Sequence, residues 1–264
     1  YQQSSRPADA ELVARLDSSN QWLSHFPTRR LTAEKIRDSL LTITGELNLE
    51  MGGPGVFPEI NWEVALQPRH IMGSVAPAYQ PMPEPKQRNR RTLYAFRYRT
   101  LSDPMLDVFN RPGSEISCER RDETTVTPQV FALFNGQFTH DRAIALAHEI
   151  SEKDLALPEA VSQVFRHVTL RTPSPEELQL ALTHVKEMQD YHAAHPPKPI
   201  PLPREVKRSM IEELTGESFT WTEKLDLTEN YIQDLKPWDV DAETRALAEL
   251  CLVLMNSNEF IYLR

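Results

Sequence analysis

The sequence predicts a mainly α-helical, irregular domain with long proline-rich loops and at most a small amount of strand. Three observations lead there. Apolar residues recur at helical spacing in several separate segments, helix-start chemistry precedes most of them, and 21 Pro stand against only 8 Gly, which stiffens the loops. At 264 residues the chain can bury a core without metal or disulfide staples. Residues 1–264 read as one mainly helical domain, and a start at Tyr1 rather than Met is expected of a processed piece.

From the N-terminus, the first clear element is TAEKIRDSLLTITGELN. Thr32 is placed to cap it, Glu34 lies in its first turn, and Ile36, Leu40, Ile43 and Leu47 share a face, with a break near Gly45. MGGPGVFPEI bars helix and opens an irregular stretch to about Arg88, a length that is uncommon unless the loop packs over or binds something. RRTLYAFRYRTL alternates Thr92, Tyr94, Phe96 and Tyr98 with Leu93, Ala95, Arg97 and Arg99, which predicts a strand or an extended run. SDPMLDVFN predicts a short helix with Ser102 as cap and Pro104 in the first turn.

Thr127 followed by Pro128 predicts the next helix start, with Val130, Phe131 and Phe134 turned to a core. THDRAIALAHEISE and LPEAVSQVFRHVTL are both at helical spacing. TPSPEELQLALTHVKEMQDYHAAH has a capping box from Ser174 and Glu177, Pro175 at its first position, and a stripe of Leu178, Ala181, Val185 and Met188. A proline-rich linker near 195–204 should be extended. REVKRSMIEELTG is expected as a short helix, and DAETRALAELCLVLM as a helix that buries Leu247, Leu250, Cys251 and Leu254.

A net charge of −9 and a pI near 5.4 give no general attraction to a nucleic-acid backbone or to anionic lipid. No run approaches the roughly 18 apolar residues of a membrane helix. Two cysteines, Cys118 and Cys251, form no CxxC or CxxCH, so no haem attachment lies in this chain and no cofactor is expected in it. Cys251, in a helical apolar stripe, is expected as a buried free thiol.

The catalytic candidates are Cys118 and Arg121. Cations lower a thiol pKa, but Glu119, Asp122 and Glu123 oppose Arg120 and Arg121, and no His stands nearby as a base. The segment therefore reads chiefly as a helix start with a packed cysteine and structural ion pairs. Arg91, Tyr94 and Arg97 are the ligand candidates, because guanidinium forks hold oxyanions and rings stack on sugars. His192 and His195 read as a solvated helix end, and His140 and His148 as a surface stripe, so no metal site is expected.

RRLTAEKIRDSLLTITGELN, MGGPGVFP, RRTLYAFRYRTL, CERRDETTVTPQVFALFN, RTPSPEEL and CLVLMNSNEFIYL together resemble domain of unknown function 1553. This is the PSD-type domain at the C-terminal end of secreted planctomycete proteins that often carry a cytochrome c domain. The resemblance implies an extracytoplasmic, mainly helical domain with an upstream partner domain, and haem c, where present, on that upstream part. By association with sulfatases and polysaccharide-degrading enzymes it implies a role in polysaccharide breakdown, with anionic glycans as ligands. Two readings follow from it: an accessory or scaffold domain, or one part of a redox or hydrolytic enzyme site completed upstream.

Overall fold

The computed structural model describes residues 3–263 apart from 72, 116 and 123, with the side chains of 227 and 228 set aside. Ile116 and Glu123 of the cysteine segment thus lie outside the described residues. The chain is mainly helical with only two-stranded sheets.

Helix α1 (Ala10–Leu16) is followed by β1 (Arg29–Arg30), α2 (Ala33–Ile43), α3 (Trp62–Ala65) and the short hairpin β2 (Arg69–Ile71)/β3 (Ser74–Ala76). Then come α4 (Pro85–Arg88), α5 (Pro104–Val108), α6 (Thr127–Asn135), α7 (Gln137–Ser151), α8 (Leu157–Thr169) and α9 (Pro175–Ala194). A second hairpin, β4 (Glu205–Ile211)/β5 (Ser218–Lys224), precedes α10 (Ala242–Met255), α11 (Asn258–Ile261) and β6 (Tyr262–Leu263). Strand β6 pairs antiparallel with β1, joining distant parts of the chain.

The main core is a helical cluster in which α10 packs against α7, α8 and α9. Asp241 caps α10 by accepting from the Thr244 N–H, and Leu247, Leu250, Cys251 and Met255 are buried along it. Each such fully buried Leu or Met contributes roughly 1.5–3 kcal/mol relative to exposure. In α9, Ser174 and Glu177 form the expected capping box over Pro175. A smaller core gathers Ile60, Ala65, Tyr79, Phe96 and Leu101, where the Tyr79 and Phe96 rings lie 4.6 Å apart.

Four local expectations are corrected. REVKRSMIEELTG is not helical: residues 205–211 form β4, paired in register with 218–224 across a turn in which Gly216 takes φ +73. Val206, Arg208 and Met210 alternate inward, and Arg208 is buried on Glu223 at 2.9 Å, so period two wins over helix propensity. RRTLYAFRYRTL is not a strand but a 3₁₀ turn at Thr92–Tyr94 followed by a short extended piece bridged to Val56. Asp38 fixes that turn by accepting from the Thr92 N–H at 2.8 Å and hydroxyl at 2.6 Å.

The helix α5 is capped by Asp103, whose carboxylate accepts from the Met105 N–H at 3.0 Å, rather than by Ser102. In α6 the cap is Val126, with Thr127 and Pro128 inside the helix, and the buried face is the opposite of that expected. Val130, Phe131 and Phe134 are exposed, whereas Gln129 and Leu133 are buried. Gln129 anchors the helix by donating to the carbonyls of Val108 and Thr124, both at 3.0 Å, and accepting from Arg30 at 2.5 Å. A side chain with both donor and acceptor ends outcompetes the apolar face because its burial satisfies several backbone carbonyls at once.

Candidate functional site

Helix α7 places Phe138, Arg142, Leu146 and Ile150 four residues apart on one face, so a guanidinium stands in the middle of an apolar stripe. Arg142 is fully buried and pairs with Glu46 at 2.6 Å and with Asp234. Asp234 also pairs with Arg88, itself fully buried, which donates to the carbonyls of Ile232 at 2.7 Å and Pro83 at 3.1 Å. Burial works to raise the Asp234 pKa, but the charges of Arg142 and Arg88 outweigh it and hold the carboxyl below the usual range.

Next to this group, Asp141 accepts from Lys236 at 2.7 Å, and Glu59 lies 3.9 Å from the same ammonium. Glu59 also accepts from Gln137 at 2.5 Å and from the Tyr231 hydroxyl. Burial pushes Asp141 up to about 7, with Lys236 pulling against it. Arg37, buried on α2, donates to the carbonyls of Arg88 and Arg90, both at 3.0 Å, and so ties the proline-rich loop to the helical core. The segment 231–236 threads through this network, which bridges the two cores.

Above the network lies a cavity of about 320 Å³ between α3, α5 and the α6–α7 junction. Glu59, Glu63, Asp103, Asp141 and Asp234 line it, and no Lys, Arg or His does so among the described residues. Burial raises the Asp103 pKa, opposed by Arg37. Thr139 also lines the cavity, is 1% exposed, and its hydroxyl has no hydrogen-bond partner among the described residues. At the α6–α7 junction a Cβ on Gly136 would stand 2.2 Å from the Ala132 carbonyl oxygen, so glycine permits the close approach that shapes this wall. Gly136 supplies no side-chain cap to α7, whose first N–H groups border the cavity.

The residues anticipated from sequence lie elsewhere and apart. Cys118 is exposed, not packed, because residues 117–122 form a surface segment without regular structure; its thiol donates to the Arg120 carbonyl at 3.1 Å. Arg121 pairs with Glu34 at 2.7 Å. Tyr94 is held beneath Arg90, whose guanidinium lies 3.9 Å from its ring, and its hydroxyl accepts from the Gly52 N–H at 2.8 Å. Arg97 donates to the Pro112 carbonyl at 2.8 Å, and Arg91 is exposed. None of the five lines the acidic cavity.

Cys251 is a buried free thiol, as expected. His192 is not a solvated helix end: its side chain is 16% exposed and Nε2 lies 3.4 Å from Glu249 on α10, because α9 stays packed on α10 to its last turn. His195 stacks on Tyr191 with ring centroids 4.4 Å apart. Among the described residues no group of three or more His, Cys, Asp and Glu is arranged to hold a metal ion. No helix among them is long and apolar enough to cross a membrane.

The charged residues inside α2 and α7 were legible as a signal. Arg37 lies among Ala33, Ile36, Leu40 and Leu41, and Arg142 among Phe138, Leu146 and Ile150, and a charge within an apolar stripe announces a buried partner. Glu59, Asp103 and Asp234 sit in loops or at a cap, where nothing in the local pattern separates them from the other acids of the chain.

No curated protein and no solved structure matches the chain. The family model PSD1, described as a protein of unknown function (DUF1553), matches residues 1–185. That span holds every carboxylate of the cavity except Asp234 and covers most of the sequence, so the chain belongs to the PSD1 (DUF1553) family.

Proposed function

We propose that the chain is an accessory saccharide-binding domain of a larger extracytoplasmic protein, and that its binding site is the acidic cavity over the buried ion network. One observation carries this reading. A cavity of about 320 Å³ combines carboxylate acceptors, a buried Thr139 hydroxyl with no hydrogen-bond partner among the described residues and apolar walls from Ile60, Val64, Met105 and Phe138. Hydroxyl-rich ligands need acceptors and donors set among apolar surfaces, and the volume lies at the small end of ligand sites, suited to one or two sugar units. A sulfated or uronic chain would meet like charge in this cavity. An anionic glycan would have to use the separate surface around Arg91 and Arg97.

The test is the thermal shift of the chain across neutral, amino, uronic and sulfated oligosaccharides at low and moderate salt. A shift with neutral or amino sugars that Thr139→Val abolishes is expected. A shift confined to sulfated or uronic sugars and abolished by Arg91→Ala would move the site from the cavity to Arg91. A flat response to every sugar would favour a scaffold role.

A second reading, part of a hydrolytic site completed by an upstream domain, is favoured by Asp141. A carboxyl held at about 7 beside a cavity is suited to donate a proton near neutral pH. It predicts that Asp141→Asn removes hydrolytic activity of the full-length protein while the domain still folds.

A further inference from the structure

We propose that the cavity is selective for a sugar unit carrying a free ammonium group, the chemistry of a glucosamine residue, with Glu63, Asp103 and Asp141 as its acceptors. This rests on the saccharide reading above and names the ligand class for the same site. Asp234 has both carboxylate oxygens occupied, by Arg88 and Arg142. Glu59 has both occupied, by Gln137 and Tyr231. Asp141 accepts from Lys236 through Oδ2, and Asp103 is held by the N–H groups of Met105 and Leu106 at the start of α5; neither carboxylate makes a further side-chain hydrogen bond among the described residues. Glu63 is exposed and its carboxylate has no ion pair or hydrogen bond among the described residues.

The cavity therefore keeps acceptor capacity on three carboxylates, while the cations of the network stand behind its wall rather than on it. A neutral sugar filling this space would strip water from those carboxylates and return only hydroxyl hydrogen bonds. An ammonium returns three N–H donors together with the opposite charge, which is what a desolvated carboxylate group requires. The ligand is not a bare amine, because the N–H groups at the uncapped start of α7 are donors and need an acceptor, which an ammonium lacks and a sugar hydroxyl supplies, while the Thr139 hydroxyl can meet either group. The apolar walls then cover the sugar's C–H faces.

Isothermal titration calorimetry of the 264-residue chain, at a pH where the sugar amine is protonated, tests this with four probes. These are a free-amine glucosamine oligomer, its N-acetylated counterpart, a glucose oligomer of equal length, and spermidine. The free-amine oligomer should bind about tenfold or more tighter than the N-acetylated one, a margin that shrinks with added salt. Glu63→Gln, a change at an exposed side chain that carries no structural contact, should reduce that margin without altering the melting temperature. Heats that vary with the buffer's ionisation enthalpy, and lose that variation in Asp141→Asn, would show a proton leaving Asp141 as the ammonium enters.

Equal affinity for the free-amine and N-acetylated oligomers would overturn the ammonium assignment and leave the saccharide reading standing. Spermidine binding as tightly as the amino sugar would overturn the sugar assignment and the saccharide reading with it. Binding by none of the four would overturn both as well.

Discussion

Replacing Asp234 by Asn keeps the shape of the side chain and removes the carboxylate that pairs with both Arg88 and Arg142, each of them fully buried. Arg142 retains Glu46 at 2.6 Å, so it loses one of two partners. Arg88 retains carbonyl acceptors at Ile232 and Pro83 but, among the described residues, no carboxylate in contact, and so becomes a buried charge with only the more distant Glu46 to balance it. Breaking a buried pair from one side typically costs about 3–5 kcal/mol, and the surviving Glu46 contact places this substitution near the lower end, at about 3 kcal/mol. For a chain of this size, roughly 2–4 °C of melting temperature accompanies each kcal/mol, so a fall of about 6–12 °C is expected by differential scanning calorimetry at neutral pH. The wild-type contribution should also shrink in acid. The folded pKa of Asp234 lies below its unfolded value, so its stabilisation is present above the unfolded pKa near 4 and is lost as the pH falls through the folded one. The difference between wild type and Asp234→Asn should therefore narrow in that acid range. A melting temperature within about 2 °C of wild type would refute the reasoning, since it would mean that the two guanidinium groups do not depend on this carboxylate.

Asp141 has the opposite sign. Its folded pKa is raised to about 7, so its contribution is fully present below the unfolded value and is lost as the pH rises through about 7; Asp141→Asn should flatten that decline in melting temperature against pH. Gly136→Ala should destabilise by about 1–3 kcal/mol through the clash of the new Cβ with the Ala132 carbonyl and should weaken binding in the cavity, read by urea unfolding and calorimetry. A maleimide should label Cys118 in the native protein and reach Cys251 only on unfolding, because burial also pushes the Cys251 thiol up; labelling of both at equal rates would contradict the packing of α10. Cys118→Ser should leave both stability and any activity unchanged, since the thiol is exposed and its sulfur makes one local contact.

How much was legible depended on whether the signal was local. The capping box at Ser174 and Glu177, the break at Gly45 and the stripe of α10 are short-range features that the folded chain keeps, except that Leu254 is half-buried and Met255 takes its place in the core. REVKRSMIEELTG suggests a helix because MIEEL has good helix formers; what decides for strand β4 is the partner SFTWTEK across a turn, a contact outside the segment itself. The face of α6 was misread for a related reason. Val130, Phe131 and Phe134 have the right spacing for a core, but the hydrogen bonds of Gln129 to Val108, Thr124 and Arg30 orient the helix the other way.

By itself, the sequence determined a mainly helical chain with proline-stiffened loops and membership in the PSD1 family, because helix periodicity, capping chemistry and family motifs are written in consecutive residues. Only the tertiary structure decided that Asp141 on α7, Glu59 in the loop before α3, Asp103 at the cap of α5 and Asp234 before α10 meet around one cavity. The physical reason is that burying Arg88 and Arg142 requires counter-charges from wherever the chain can deliver them. That requirement acts through space between residues as far apart in sequence as Arg88 and Asp234; the apolar stripe around Arg142 announces a partner, but nothing in the sequence around Asp234 marks it as that partner.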